Sequence, residues 1–132
     1  MKAADYYAAK LAFETDSYDV YSALERGEPL LLIDGRSGAA FAAETIPGAI
    51  NLPHRTIDAD STAHLPRDVL LVAFCDGIGC NASTKTALAL SRLGFNVKEL
   101  LGGLDWWKRD GYATHTRAGA GASCGCAGEA SC

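Results

Sequence analysis

Cysteine does its chemistry as a thiolate, and two of this chain's five cysteines, Cys75 and Cys80, fall in one glycine-containing stretch. It reads Cys75-Asp76-Gly77-Ile78-Gly79-Cys80-Asn81-Ala82-Ser83. Gly77 and Gly79 let the backbone curl without the cost of a Cβ. A curled loop leading into a helix can turn several N–H groups inward as a nest for an anion, and the helix dipole adds positive character there. This setting is expected to lower the Cys75 thiol from a free value of about 8.5. It would stabilise a persulfide, Cys–S–S⁻, in the same way. Asp76 opposes the thiolate if it faces the sulfur, and matters little if it faces solvent. The alternative is a buried, inert cysteine at a strand end.

Cys80 extends the chemistry. Two thiols in one loop could cycle between dithiol and disulfide, with Cys80 as the resolving thiol that attacks a Cys75 persulfide and releases sulfide. The competing reading is a small loop residue facing the helix. Cys124, Cys126 and Cys132 stand in a separate C-terminal stretch. Three thiols fall short of the four ligands of a closed zinc site, and a fourth would have to come from His115, Cys80 or another chain. No metal and no cofactor is therefore expected. About a dozen flexible residues reach roughly 20 Å, so Cys124 or Cys126 could act as a tethered thiol acceptor; the other reading is incidental cysteines. His54 follows Leu52-Pro53, close to a pocket mouth or exposed on a loop, and no Cys–His–Asp triad shows a diagnostic spacing.

The elements that must position this loop can be read around it. The apolar run Val69-Leu70-Leu71-Val72-Ala73-Phe74 predicts a buried strand that delivers Cys75 at its carboxyl end. A helix is expected over 82–93, with Ala89 and Leu93 on one face, Leu90 beside them and Gly94 closing it. Leu30-Leu31-Leu32-Ile33 predicts a second central strand ending at Asp34. Asp16 or Ser17 caps a helix carrying Val20, Tyr21 and Leu24, and Ser37 caps a short helix containing Phe41. Residues 95–100 predict another strand. A last helix over 104–110 carries Trp106 and Trp107, at least one packed into the core. Strands alternating with helices define the α/β class with a mostly parallel sheet, in which ligand sites lie at the carboxyl ends of strands.

The chain has 132 residues, 48% hydrophobic and 21% charged, with a net charge of −4. That suffices for one domain with a single core, placed over 1–113. Residues 114–132 are rich in Gly, Ala and Ser and read as a flexible tail. No basic patch points to nucleic acid, and no apolar run approaches the length of a membrane span. The amino-terminal residues lack the apolar core of a secretory signal, so a cytoplasmic protein is expected, with cysteines used for sulfur or redox chemistry rather than structural disulfides.

Three separated pieces together resemble the rhodanese-like domain. They are Leu32-Ile33-Asp34-Gly35-Arg36 with Phe41 and Ile46-Pro47-Gly48-Ala49-Ile50-Asn51-Leu52-Pro53; Cys75 after a strand; and Leu101-Gly102-Gly103-Leu104-Asp105-Trp106-Trp107, ending in Gly111-Tyr112. The match spans roughly residues 14–113, in the family's order. The resemblance implies a three-layer α/β/α fold with a five-stranded, mostly parallel sheet. It also implies sulfurtransferase chemistry, with Cys75 as the nucleophile that takes sulfane sulfur from a small donor such as thiosulfate and passes it to a thiophilic acceptor, a thiol or a protein. Backbone N–H groups of Asp76, Gly77, Ile78, Gly79, Cys80, Asn81, Ala82 and Ser83 would form the cradle. Asp34 and Arg36 match an Asp-x-Arg pair that is more structural than catalytic. The chain departs from the family in three places. Cys80 stands where an arginine is frequent, the loop is longer, and Thr45 replaces a histidine before Ile46. Arg36, Arg55 and Lys85 are the candidate anion contacts in place of that arginine.

Other classes of protein share parts of this pattern. A related phosphatase loop would need arginine at the position of Asn81, and without it the bidentate clamp for a transferring phosphate is missing. A thiol–disulfide redox module, or a non-catalytic sulfur-carrier or binding module, would use the same Cys75 and Cys80. The oligomeric state is not legible.

Overall fold

The two central apolar runs pair with each other. In the computed structural model, which describes residues 1–116, Leu30–Asp34 (β2) lies parallel to Leu70–Phe74 (β4), with Leu30 opposite Leu70 and Asp34 opposite Phe74. Val97–Leu100 (β5) pairs with β4 on the far side, and the short Glu14–Thr15 (β1) and Ile50–Asn51 (β3) form the edges. The sheet order is β1-β5-β4-β2-β3, and every pairing is parallel, so the expected mostly parallel sheet is wholly so.

Side chains alternate across this sheet, and each face is buried. One face carries Leu32, Val72, Phe74 and Leu100, covered by Val20 of Ser17–Glu25 (α2) and by Leu104 and Trp107 of Gly103–Arg109 (α5). The other carries Ile33, Leu71, Ala73 and Val97, covered by Leu90 of Ala82–Arg92 (α4) with Leu52, Leu65 and Phe95. Burial on both faces explains why β2 and β4 read as continuous rather than alternating apolar runs. The result is the three-layer α/β/α arrangement. Ala3–Phe13 (α1) precedes β1 with none of its residues buried, and Gly38–Ala43 (α3) follows β2.

Local signals place the helix starts. The Asp16 side chain accepts from the Asp19 N–H and Ser37 accepts from the Ala40 N–H, each satisfying an orphan donor of the first turn. Gly27 and Gly94 adopt positive φ where α2 and α4 end. The face of α4 differs from the expected one: Ser83, Thr86 and Leu90 are buried, whereas Ala89 and Leu93 are only partly so. The first turn of α4 turns its hydroxyls toward the end of the sheet, where the site lies. Trp107 is buried and its Nε1–H donates to the Ala113 carbonyl at 2.9 Å, whereas Trp106 is exposed. Thr114 and His115, assigned by composition to the tail, are tied down. Thr114 donates to Glu44 Oε2 at 2.7 Å, and His115 exchanges two backbone hydrogen bonds with Thr45. Cys124, Cys126 and Cys132 lie outside the described residues. No helix among the described residues is long and apolar enough to cross a membrane.

Candidate active site

Cys75 stands directly after β4 and is 1% exposed. The following loop curls as expected, but its two glycines do different work. Gly79 takes φ +95, a backbone state that side chains resist. Gly77 has no positive φ; a Cβ there would lie 3.0 Å from the Cβ of Asp105, tighter than ordinary van der Waals contact. The Cys80 N–H closes the turn on the Gly77 carbonyl at 3.2 Å.

The start of α5 holds this loop from the other side. The Leu104 N–H donates to the Cys75 carbonyl at 2.9 Å, and the Asp105 N–H donates to the Asp76 carbonyl at 2.8 Å. Gly103, with φ +55, lies so close that a Cβ would meet the Cys75 carbonyl oxygen at 2.4 Å. The two carbonyls at the thiol are thus fixed toward α5, which leaves the loop's N–H groups free to turn toward the sulfurs.

The environment of the thiol reverses one expectation. Burial pushes the Cys75 thiol above the ordinary thiol value, and the neighbouring Cys80 thiol raises it further; the hydroxyl and N–H of Ser83 pull the other way without cancelling this. Desolvation outweighs the nest because charging a sulfur removed from water is costly. Cys80 has the opposite balance. Burial pushes it up, but contact with the Cys75 thiol and N–H donors from Ala82 and Asp76 bring it below the ordinary value. The nest expected around Cys75 is thus partly directed at Cys80. Both cysteines are free thiols.

Two clefts meet at the loop. A smaller one, ≈ 160 Å³, is lined by Cys75, Gly77, Gly79, Cys80, Ser83 and Glu99 among others. A larger one, ≈ 370 Å³, opens between the turns after β2 and β4 and includes Gly35, Arg36, His54, Arg55, Asp76 and Cys80. Cys80 lines both; Cys75 lines only the smaller. Ala82 borders the larger cleft, Ile78 is exposed beside the smaller one, and Asn81 is exposed at the start of α4 with no side-chain cap.

The candidate anion contacts separate. Arg36 is held bidentately by the fully buried Asp34, at 3.0 Å to Oδ1 and 2.8 Å to Oδ2. It also donates to the Glu44 carbonyl and to Asp76 Oδ1 at 3.1 Å. Its donors are therefore largely occupied, and it works as a strut between β2 and the loop. Asp76 points to solvent and Arg36 rather than at the thiol, which answers the question raised by its sequence position. Thr45, where the family often has histidine, donates to Asp34 Oδ2 at 2.8 Å and so completes the same buried cluster. Arg55 is exposed and borders the larger cleft, and His54 lies beside it, half-buried. Lys85 is exposed on α4 and lines neither cleft.

One residue of the site escaped the sequence reading. Glu99 on β5 accepts from Ser83 Oγ and Thr84 Oγ1, both at 2.7 Å, and lines the cleft of Cys75. In sequence it is one charged position in a short strand. Only the register opposite Ala73, two residues before Cys75, brings it there. Among the described residues no group of three or more His, Cys, Asp and Glu side chains could hold a metal ion.

A thiol at the carboxyl end of a central parallel strand, in a loop braced by a buried Asp–Arg pair and the start of the last helix, defines a class. The family model of the rhodanese-like domain matches residues 16–110, and the chain belongs to that family. Its fold is similar to that of the BH2092 protein from Bacillus halodurans, with a TM-score of 0.83 and 34% identity over 92% of this chain and 89% of that one. A thiosulfate sulfurtransferase from Pseudomonas aeruginosa matches at a TM-score of 0.70 and 29% identity, over 79% of this chain but 20% of that one. The chain is also 36% identical over 87 residues to the HTH-type transcriptional regulator Rv0324 of Mycobacterium tuberculosis, and that match spans 38% of the regulator's length.

Proposed function

We propose that this domain is a sulfurtransferase that carries sulfane sulfur as a persulfide on Cys75. The observation that carries the reading is the placement of the thiol: Cys75 directly follows β4, lines a cleft and is met by the N–H and hydroxyl of Ser83 and by a second thiol. The kinship with a thiosulfate sulfurtransferase supports the same chemistry. In the first half-reaction the Cys75 sulfur attacks the outer sulfur of a donor such as thiosulfate. The donor's S–S bond breaks, its electron pair leaves with sulfite, and Cys75 holds the transferred atom as Cys75–S–S⁻. In the second half an acceptor thiolate attacks that outer sulfur, forming a new persulfide and returning Cys75 as a thiolate. The partners are a small sulfur donor and a thiol acceptor, small or on a protein. A reducing cytoplasm suits two cysteines that work as free thiols.

A second reading is favoured by Cys80, whose thiol meets that of Cys75 and lines both clefts. Its thiolate attacks the Cys75 Sγ of the protonated persulfide, Cys75–S–SH, and the S–S bond breaks to expel HS⁻, leaving a Cys75–Cys80 disulfide. An external dithiol reduces that disulfide by exchange, becoming oxidised itself.

Intact mass after incubation with thiosulfate tests both. Wild type is expected to gain one sulfur atom, and Cys75→Ser none. If Cys80 only resolves, Cys80→Ser gains the atom and keeps it, while wild type releases sulfide and forms the disulfide. Failure of both wild type and Cys80→Ser to take up sulfur from thiosulfate or any persulfide donor, with no disulfide formed in wild type, removes the transferase reading.

A further inference from the structure

Cys75 presents a chemical problem that the loop does not solve: its thiol is buried, and burial favours the form that does not attack. A proton must leave Cys75 as it reacts, and the structure offers a route. Cys75 Sγ lies 3.3 Å from Ser83 Oγ, and Ser83 Oγ lies 2.7 Å from Glu99 Oε2. A carboxylate only accepts hydrogen bonds, so the single Ser83 proton is committed to Glu99 and a Ser83 lone pair faces the Cys75 S–H. Thr84 Oγ1 donates to the same carboxylate oxygen at 2.7 Å and fixes it from the exposed side. Glu99 is half-buried, so a proton arriving there can pass on to solvent.

We propose that Glu99 is a positioning residue that draws the Cys75 proton through Ser83 as the sulfur attacks its donor. The step is a concerted shift of two protons. The Cys75 hydrogen moves to Ser83 Oγ while the Ser83 hydrogen moves to Glu99 Oε2. The electron pair left on Cys75 Sγ forms the bond to the incoming sulfur. Ser83 then donates toward Cys75, and Glu99, now a carboxylic acid, releases its proton to water. No oxidant or reductant enters the step. Two further carboxylates stand near the route: Asp76 turns to Arg36, and Glu14, opposite Glu99 on β1, pairs with Lys10, whose charge also reaches Glu99. Cys80 faces the same thiol and competes for its hydrogen through its carbonyl oxygen, 3.2 Å from Cys75 Sγ.

The inference rests on Cys75 as the nucleophile, and its test does not need sulfur transfer. The rate at which iodoacetamide alkylates Cys75 is followed by peptide mass mapping from pH 6 to 10, in the full chain carrying Cys80→Ser to remove the competing thiol. With the relay intact, the neutral thiol reacts with assistance, so the rate levels off toward neutral pH. In Glu99→Gln, whose amide oxygen can still accept from Ser83 but takes no proton, the rate should fall about tenfold per pH unit. The deficit should reach roughly 10²-fold at pH 6.5, in line with general-base assistance, and vanish at high pH. Ser83→Ala should show the same profile, the double variant no further loss, and Glu99→Asp a partial return of the plateau. A Glu99→Gln protein that alkylates as fast as the parent, or faster because a negative charge has gone, overturns the relay. A normal relay profile in a protein that takes up no sulfur overturns the transferase reading alone.

Discussion

At the scale of the residue, the two loop cysteines are inequivalent in the sense opposite to a simple nest. Cys75 is raised by burial and by its neighbour, whereas Cys80 is lowered by the Cys75 contact and the N–H groups of Ala82 and Asp76. As pH rises in the absence of a sulfur donor, Cys80 should become thiolate first, below the ordinary thiol range, and Cys75 only above it. Limited alkylation between pH 7 and 8, mapped by peptide mass, should label Cys80 ahead of Cys75, and the reverse order would show that the loop favours the deeper sulfur. Single-residue legibility follows the same division. Identity and placement of both thiols can be read from the chain, because a cysteine after an apolar run and before two glycines has few other settings. The direction of the Cys75 shift could not be read. It depends on burial depth, and depth is a property of β5 and α5 closing over the loop. Asp34, Arg36 and Thr45 sit between these cases: the motif is plain in sequence, but the Thr45 hydroxyl that completes it becomes meaningful only once it is found on the buried carboxylate.

At the scale of the element, α5 holds the loop that carries Cys75 through two backbone hydrogen bonds and a close approach at Gly103. Gly103 combines a left-handed backbone with a Cβ position 2.4 Å from the Cys75 carbonyl oxygen and 3.0 Å from the Gly77 nitrogen. Gly103→Ala should therefore destabilise the fold by more than the roughly 1–2 kcal/mol of the backbone conformation alone, because the overlap with the loop adds to it. Urea unfolding should show the lower midpoint, and sulfur uptake should fall in the fraction that remains folded. A midpoint equal to wild type would mean that α5 can retreat from the loop at no cost. The strands that α5 completes were visible in sequence because a parallel strand buried on both faces has no polar alternation to confuse with a helix period. The buried face of α4 was not, since Ser83 and Thr86 occupy positions where a pattern search looks for apolar residues. Ser83 lies in the first turn and lines the cleft of Cys75, whereas Thr86 lies against Gly35.

For the whole molecule, the sheet order explains why one loop serves two clefts. β4 lies between β2 and β5, so the turn after β2 borders the loop on one side and Glu99 on β5 borders it on the other. Arg55 and His54 face the wider side, and the buried thiol with its hydroxyl and carboxylate faces the narrower. The described chain closes on itself at Glu44, whose carboxyl is held below its ordinary value. Burial opposes this, but hydrogen bonds from Thr114 and Lys108 outweigh it. The bonds that tie the Cys75 and Asp76 carbonyls to the start of α5 have a further consequence. Whenever the loop swings away from the sheet, the Leu104 and Asp105 amides lose their acceptors together. These two hydrogens are therefore a clock for the active loop. In deuterated water they should exchange in step, at the rate the loop opens, and slower exchange of the same pair after treatment with thiosulfate would show that sulfur on Cys75 holds the loop shut.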